Sequence, residues 1–267
     1  MKIVFTDLDG TLLDYSTYSY KPAREALSHL HEKKIPIIIC SSKTKAEIEV
    51  YREKLKIPDP FICEDGGAAY VPKGYFEFEF DHDFETKKYL AFKLGTDYQK
   101  LRKILKAMAK EGLALEGFGD MTARQVAEET GLSLDTAKLS KMRKFDEPVK
   151  ILSERHEERM KEIIKRYNLH YTRGGKYLHL IGNNDKGKAA ALLIDLYRRR
   201  YGKVESIGLG DSRNDFKMLD AVDRPYLVLR EDHHYASKRY NRAPGIGPVG
   251  WNRIILRILA ASCDRDE

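Results

Sequence analysis

The chain has 267 residues, 42% hydrophobic and 33% charged, enough for one large domain or two modest ones, each with its own core. No apolar run approaches the ~20 residues that span a bilayer, and no basic-then-apolar leader precedes the first strand, so a soluble cytoplasmic protein is expected. The net charge of +7 admits nucleic acid or an anionic metabolite as partner, but the basic clusters at 198–200 and 238–239 accompany no nucleic-acid motif and read as solvated faces.

Cys40, Cys63 and Cys263 have neither metal-ligand spacing nor an even framework, and a reducing compartment fits them. Lys and Glu are abundant while Asn and Gln are sparse, a bias of heat-adapted proteins.

Residues 2–6 form a short apolar run that reads as a buried strand, followed by Asp7-Leu8-Asp9-Gly10-Thr11. Side chains two apart at a strand end point the same way, so Asp7 and Asp9 can face one site, and Gly10 lets the backbone turn sharply away. Two adjacent acids repel unless a cation joins them, and Mg²⁺ prefers oxygen ligands. As isolated residues they read equally well as turn formers.

A helix opens at Lys21-Pro22 with proline in its first turn. A second buried strand over 35–40 ends at Ser41-Ser42-Lys43-Thr44, and a helix over 45–55 follows. Alternating strand and helix means a parallel, doubly wound α/β sheet, whose active residues gather at the carboxyl ends of its strands. Ser41, Ser42 or Thr44 can each cap the helix, and an anion at that helix end is also favoured. A third strand leads into Glu64-Asp65-Gly66-Gly67-Ala68, and alternation over 74–80 suggests a hairpin.

From Asp81 the pattern changes to helices mixed with short strands: helices over 97–111, 122–130 and 156–167, a short one after Ser133, and strands near 115–118, 149–152 and 169–172. Thr122 and Ser133 are candidate N-caps and Gly131 a stop. The expected organisation is a core of 1–81 and 181–267 with an inserted α+β cap of 82–180 over the sheet's carboxyl edge.

After a strand at 177–182, Asp185 caps a helix that carries Lys186 in its first turn, where a cation opposes the macrodipole and calls for a counter-anion. The next strand, over 204–209, ends in Gly210-Asp211-Ser212-Arg213-Asn214-Asp215, and Asp211 and Asp215 can aim oxygens at one cation. A strand at 225–228 and a helix over 251–261 complete the sheet, with Trp251 read as core.

Four pieces, Asp7-x-Asp9-Gly10-Thr11, Ser41 after a buried strand, Lys186-Gly187 and Gly210-Asp211-Ser212-x-Asn214-Asp215, resemble in order the motifs of the haloacid dehalogenase (HAD) superfamily of phosphatases. The resemblance implies catalytic Asp7, Asp9, Ser41 and Lys186, and one divalent cation, Mg²⁺ or a substitute such as Mn²⁺ or Co²⁺, at Asp7, Asp9, Asp211 and Asp215. The 64–68 element resembles the Glu-Asn-Gly-Ala of large-cap sugar phosphatases, with Asp65 in place of asparagine.

Arg143-Lys144-Phe145-Asp146-Glu147-Pro148, Gly174-Gly175-Lys176-Tyr177-Leu178-His179 and Gly247-Pro248-Val249-Gly250-Trp251-Asn252 resemble segments of mannosyl-3-phosphoglycerate phosphatases, with Lys176 replacing the usual arginine. That family acts on a small anionic sugar phosphate and makes a compatible solute of heat-adapted organisms. Ser42, Lys43, Arg143, Arg173, Gly174, Gly175, Lys176 and Asn214 are the corresponding substrate-binding candidates. Arg143 alternatively pairs with Glu147, one turn on if the segment is helical. Phosphatases of sucrose or glucosyl phosphate and phosphomannomutases carry the same core motifs, and a basic nucleic-acid module would leave four strand-end acids unexplained.

Overall fold

Apolar runs hidden on both faces make the centre of the main sheet. In the computed structural model, which describes residues 1–174 and 177–263, β1 (Lys2–Thr6), α1 (Arg24–Glu32), β2 (Ile37–Cys40), α2 (Lys45–Leu55), β3 (Phe61–Cys63) and β4 (Ala68–Pro72) come first. Two further strands, β5 (Phe84–Glu85) and β6 (Tyr89–Lys93), join the same sheet. An inserted unit follows: α3 (Tyr98–Lys110), β7 (Leu115–Gly117), α4 (Ala123–Thr130), α5 (Leu134–Ser140), β8 (Asp146–Ile151), α6 (Glu157–Arg166), β9 (His170–Gly174) and β10 (Tyr177–Ile181). The chain returns through α7 (Lys186–Tyr201), β11 (Glu205–Gly210), α8 (Phe216–Ala221), β12 (Arg224–Leu229), β13 (Asn241–Ile246) and α9 (Pro248–Cys263).

The nine strands of the main sheet run β13-β12-β11-β1-β2-β3-β4-β6-β5. From β13 through β3 all pairs are parallel, and β4, β6 and β5 add an antiparallel edge. Strand order reverses at β1, and the crevice outside such a reversal is where doubly wound sheets bind ligands. Apolar side chains of α1, α2 and α9 cover one face, and those of α7 and α8 the other. Trp251 is fully buried, and its indole N–H donates to Thr6 Oγ1 at 3.0 Å, pinning the end of β1 to α9. Asn252 beside it accepts from Ala26 N at 2.9 Å.

The inserted unit is a separate antiparallel sheet, β7-β8-β10-β9, with α3 and α6 packed on one face through Leu101, Leu105, Ile163 and Leu178. Its start differs from the expected boundary at 82. Strands β5 and β6 pair with the core edge, so we place the beginning of the cap after Lys93. The alternation over 74–80 is not a hairpin either. Tyr75, Phe76, Phe78 and Phe80 form an aromatic cluster on Tyr197 of α7, and such packing imitates strand periodicity. Edge strand β13, with Pro and Gly inside it, carries too little β character to be read from sequence.

Cys40 and Cys63 are buried free thiols, while the side chain of Cys263 lies outside the described part. Arg198 pairs with Asp223, Arg200 with Glu77 and Arg239 with Asp220, so these basic clusters are internally matched. Among the described residues no helix is long and apolar enough to cross a membrane.

One glycine ties the β3–β4 turn to the site. Gly66 has φ +82°, and a Cβ there would lie 2.1 Å from the Asp185 carbonyl oxygen, at the start of α7. Gly74 has φ +76° with nothing within 4 Å of a Cβ. Both variants to alanine take the left-handed penalty of ~1–2 kcal/mol, but only Gly66→Ala also collides with backbone. Urea unfolding should show Gly74→Ala down by ~1 kcal/mol and Gly66→Ala by at least ~3 kcal/mol; equal losses would mean that the Asp185 backbone yields freely.

Candidate active site

The site is built where β1, β11 and the start of α7 converge. Asp7 follows β1 directly, and its N–H donates to Leu209 O of β11 at 3.0 Å, so the two strand ends are in register. Lys186 is 1% exposed, and its Nζ lies 2.8 Å from Asp7 Oδ1 and 2.7 Å from Asp215 Oδ1. Asp185 caps α7 by accepting from Lys188 N at 2.8 Å, which sets Lys186 in the first turn as the sequence suggests. The counter-anions that its position demanded are these two carboxylates.

Asp215 spends both oxygens: Oδ1 on Lys186, and Oδ2 on the backbone N–H groups of Asp211 (3.0 Å) and Ser212 (3.1 Å). It therefore shapes the loop after β11. Asp211 accepts from the Ser212 hydroxyl and, at 3.5 Å, from Thr11 Oγ1, and Asp7 keeps Oδ2 clear of Lys186. Gly10, with φ +72°, passes so near Asp211 that a Cβ would stand 3.0 Å from its Oδ2.

Asp7, Asp211 and Asp215 bring oxygens within 4.8 Å of one another. Three carboxylates face one ammonium, and a divalent cation with oxygen preference balances that excess. The titration behaviour says the same. Burial raises the Asp7 pKa well above the carboxylate range, Lys186 draws it down, and Asp215 and Asp211 push it up again. Asp211 is raised to about 7, chiefly by burial and then by Asp215. Burial works against the charge on Lys186, but Asp215 and Asp7 outweigh it and hold its pKa high. The donor set fits a hard divalent cation.

Asp9 stands apart from this triad. Its Oδ2 accepts from Lys43 Nζ at 2.8 Å, and its Oδ1 is buried without a partner among the described residues. Burial disfavours charge on Lys43, yet Asp9 and Glu47 keep its pKa raised, and its Nζ lies over the Tyr18 ring at 5.2 Å. Lys43, expected to bind substrate, is thus paired with Asp9 across the mouth of the site. Thr44 is the residue that caps α2, in a reciprocal box with Glu47. Ser41 is left with a 3.3 Å contact from Lys43 N, and it is 1% exposed beside the site.

A cavity of about 770 Å³ lies between the two sheets, bordered by Asp7, Asp9, Asp211 and Lys43 below and Phe118, Tyr177 and His179 above. Ser42, Arg143, Arg173 and Asn214 also line it. Arg143 is held by Ser140 O (2.9 Å), Ser42 O (2.9 Å) and Asp146 Oδ2 (2.5 Å), so its guanidinium joins cap to core. Its acid is Asp146 and not Glu147, because 143–145 is an irregular link rather than a helix; Glu147 accepts from Arg102 at 2.8 Å. The Arg173 guanidinium is engaged with Glu157 of α6 at 2.8 Å. Asn214 Oδ1 accepts from Ser212 Oγ at 2.5 Å. Gly174 ends β9, opposite Tyr177, whereas Gly175 and Lys176 lie outside the described residues.

Several contributors were not among the expected site residues, although the segments that hold them carry the resemblances. Glu64 accepts from Lys144 N (2.9 Å) and Phe145 N (2.7 Å), clasping the cap's entry into β8; burial raises its pKa to about 7, against Arg143. Asp65 Oδ2 accepts from Thr172 Oγ1 of the cap at 2.9 Å. Asp146 also accepts from His179 Nδ1 at 2.7 Å. His179 and Asp146 lie inside the quoted cap segments, yet only strand pairing brings them together.

A parallel sheet whose switch point holds two strand-end carboxylates around a buried lysine, roofed by an inserted α+β unit, defines a class. Residues 4–233 match the model of the haloacid dehalogenase-like hydrolases, and the chain belongs to that family. It is 44% identical over 263 residues to a "glucosyl-3-phosphoglycerate/mannosyl-3-phosphoglycerate phosphatase" of Methanococcoides burtonii, covering 96% of this chain and 97% of the relative. It is 38% identical over 228 residues to a "mannosyl-3-phosphoglycerate phosphatase" of Pyrococcus furiosus, covering 85% and 91%. Its fold resembles a solved Thermoplasma acidophilum protein (TM-score 0.70, 16% identity, covering 97% and 98%) and a HAD subclass IIB sugar phosphatase (TM-score 0.65, 20% identity, covering 98% and 99%).

A carboxyl whose folded pKa is raised favours folding only while protonated. For Asp211 that contribution is complete below the ordinary 3.8 and is lost as pH rises through about 7. Metal-stripped protein should therefore show a falling thermal midpoint between about pH 4 and 7. Asp211→Asn should flatten the fall, and millimolar Mg²⁺ should offset it in the unsubstituted protein; a fall that neither change affects would place the titrating group elsewhere.

Proposed function

We propose that this protein is a Mg²⁺-dependent phosphatase that hydrolyses mannosyl-3-phosphoglycerate to mannosylglycerate and phosphate through an aspartyl-phosphate on Asp7. The observation that carries the reading is the Lys186 ammonium between Asp7 and Asp215, with Asp211 completing the acidic set. Glucosyl-3-phosphoglycerate is the second substrate to test, since two relatives are named for both esters.

In this reading Asp7 attacks phosphorus in line through the oxygen that Lys186 leaves clear, and the ester oxygen departs with the proton of Asp9. Asp9 then takes a proton from water, which attacks the acyl phosphate and returns Asp7 and inorganic phosphate. Lys186 holds Asp7 in place and lies beside the charge that develops on the phosphoryl oxygens. Lys43 orients Asp9 from the other side, 2.8 Å away. In the same reading the Ser41 hydroxyl, at the α2 entrance, donates to a phosphoryl oxygen. A Mg²⁺ held by Asp7 and Asp211, with Asp215 and the Asp9 carbonyl as supporting groups, would neutralise phosphoryl charge. Substrate choice falls to the cap, because the core groups see only the phosphoryl group.

Asp7→Asn should retain a native circular dichroism spectrum while phosphate release from mannosyl-3-phosphoglycerate falls at least ~1000-fold. EDTA should stop turnover by the unsubstituted enzyme, and Mg²⁺ should restore it. Wild-type-like rates in Asp7→Asn would refute the nucleophile, and an isomerised sugar phosphate in place of free phosphate would mark a mutase.

A further inference from the structure

The roof of the cavity holds a polar set that the phosphoryl chemistry does not use. Asp146 opens β8 and His179 sits on β10, where the antiparallel register places Ile181 opposite Asp146 and His179 opposite Pro148. Tyr177, His179 and Ile181 share the face turned from α3 and α6, since the alternate residues Leu178 and Leu180 pack into the helix side. His179 donates through Nδ1 to Asp146 Oδ2 at 2.7 Å, and Arg143 reaches the same oxygen at 2.5 Å. The imidazole borders the cavity, and its Nε2 has no partner among the described residues.

We infer that His179 is the cap's recognition residue for the group esterified to phosphate, its Nε2 donating to a carboxylate or hydroxyl oxygen of that group, with Asp146 and Arg143 as its positioning residues. The inference rests on the phosphatase reading and deepens it by naming what the cap contacts. A histidine whose Nδ1–H is fixed on a carboxylate has its ring orientation set and turns Nε2 outward, where it donates in the imidazolium form. Burial opposes charge on the ring, but Asp146, and after it Asp65, hold its pKa above the ordinary value and so favour that imidazolium form.

A metal site is the other chemistry these groups suggest, because Asp65, Asp146 and His179 have ligand atoms within 4.8 Å. Arg143 already supplies the counter-charge at Asp146, which removes the electrostatic demand for a cation. The same contacts couple recognition to cap seating. Arg143 also donates to Ser42 O of the core, and Thr172 of β9 donates to Asp65. Arg143 thus links the Asp146–His179 pair of the cap to the core.

The test uses full-length enzyme with Mg²⁺ and two esters: mannosyl-3-phosphoglycerate, and phenyl phosphate, whose leaving group offers no acceptor beyond the ester oxygen. Loss of a charge-assisted hydrogen bond should raise KM for the first about ten- to a hundredfold in His179→Ala, with kcat within about threefold. His179→Gln, which keeps a donor, should recover part of the loss, and Asp146→Asn should fall between. Phenyl phosphate kinetics should be unchanged in both His179 variants. A KM within about twofold of wild type in both His179 variants, or equal losses of kcat/KM on both esters, would overturn the inference, as would rescue by added Zn²⁺ or Mn²⁺. Wild-type enzyme that hydrolyses neither ester, or phenyl phosphate alone, would instead refute the substrate reading and this inference with it.

Discussion

The buried ammonium of Lys186 is the contact on which the rest of the molecule depends. It joins Asp7, at the end of the first strand, to Asp215, in the loop after β11, and itself begins α7. Three segments far apart in the chain thus share one charge cluster. A lysine this enclosed is strongly disfavoured without partners, and breaking such a pair typically costs ~3–5 kcal/mol because a charge is left stranded. The helix dipole adds to the demand, since a cation in the first turn of α7 is repelled by the unsatisfied N–H groups there. The two carboxylates answer both terms, and with Asp211 crowded beside them they make an acidic cluster that could hold a metal ion.

Around that cluster the polypeptide is fitted closely. The β3–β4 turn reaches the Asp185 carbonyl with no room for a side chain, and Trp251 holds the Thr6 hydroxyl, which itself donates to the Asp7 carbonyl at 2.7 Å. The core is therefore rigid where Asp7 is presented. The cap is attached differently. Glu64 on the 144–145 backbone, Arg143 on Ser42, Thr172 on Asp65 and Thr44 on Leu139 are polar contacts between the two units. Such contacts exchange readily with water, so a seam of this kind opens at less cost than an apolar one of equal area. That suits a roof that admits a polar substrate and releases two products. Phe145, buried against Gly67 and Gly95, is the apolar pivot in the seam.

Much of the local structure was legible. The α2 limits, the Asp185 cap, the Thr122 and Ser133 caps and the strand ends carrying Asp7, Ser41 and Asp211 are all local features, set by periodicity and by what a helix terminus needs. The readings that failed were those in which packing imitates a local pattern. The 74–80 aromatics alternate because they stack on Tyr197, and β5 and β6 are short strands that only the core edge stabilises. Arg143 was expected to serve a ligand or Glu147, yet the irregular link before β8 delivers it to Asp146 and to a core carbonyl. Of three candidate caps for α2, Thr44 alone has Glu47 at the reciprocal position, which leaves Ser41 beside the site.

By itself the sequence determined the sheet class and the alternation of strand and helix that builds its parallel part. It also determined that acids, a hydroxyl and a lysine would stand at strand ends on one edge, because strand alternation and helix capping act over a few residues. Tertiary structure alone decided how each oxygen is engaged, with Asp215 committed to Lys186 and two backbone amides and Asp211 met by hydroxyls. It alone paired Lys43 with Asp9 and set His179 against Asp146. Those outcomes depend on burial and on contacts between residues far apart in the chain, where the electrostatic cost of an unpaired charge, rather than local propensity, selects the partner.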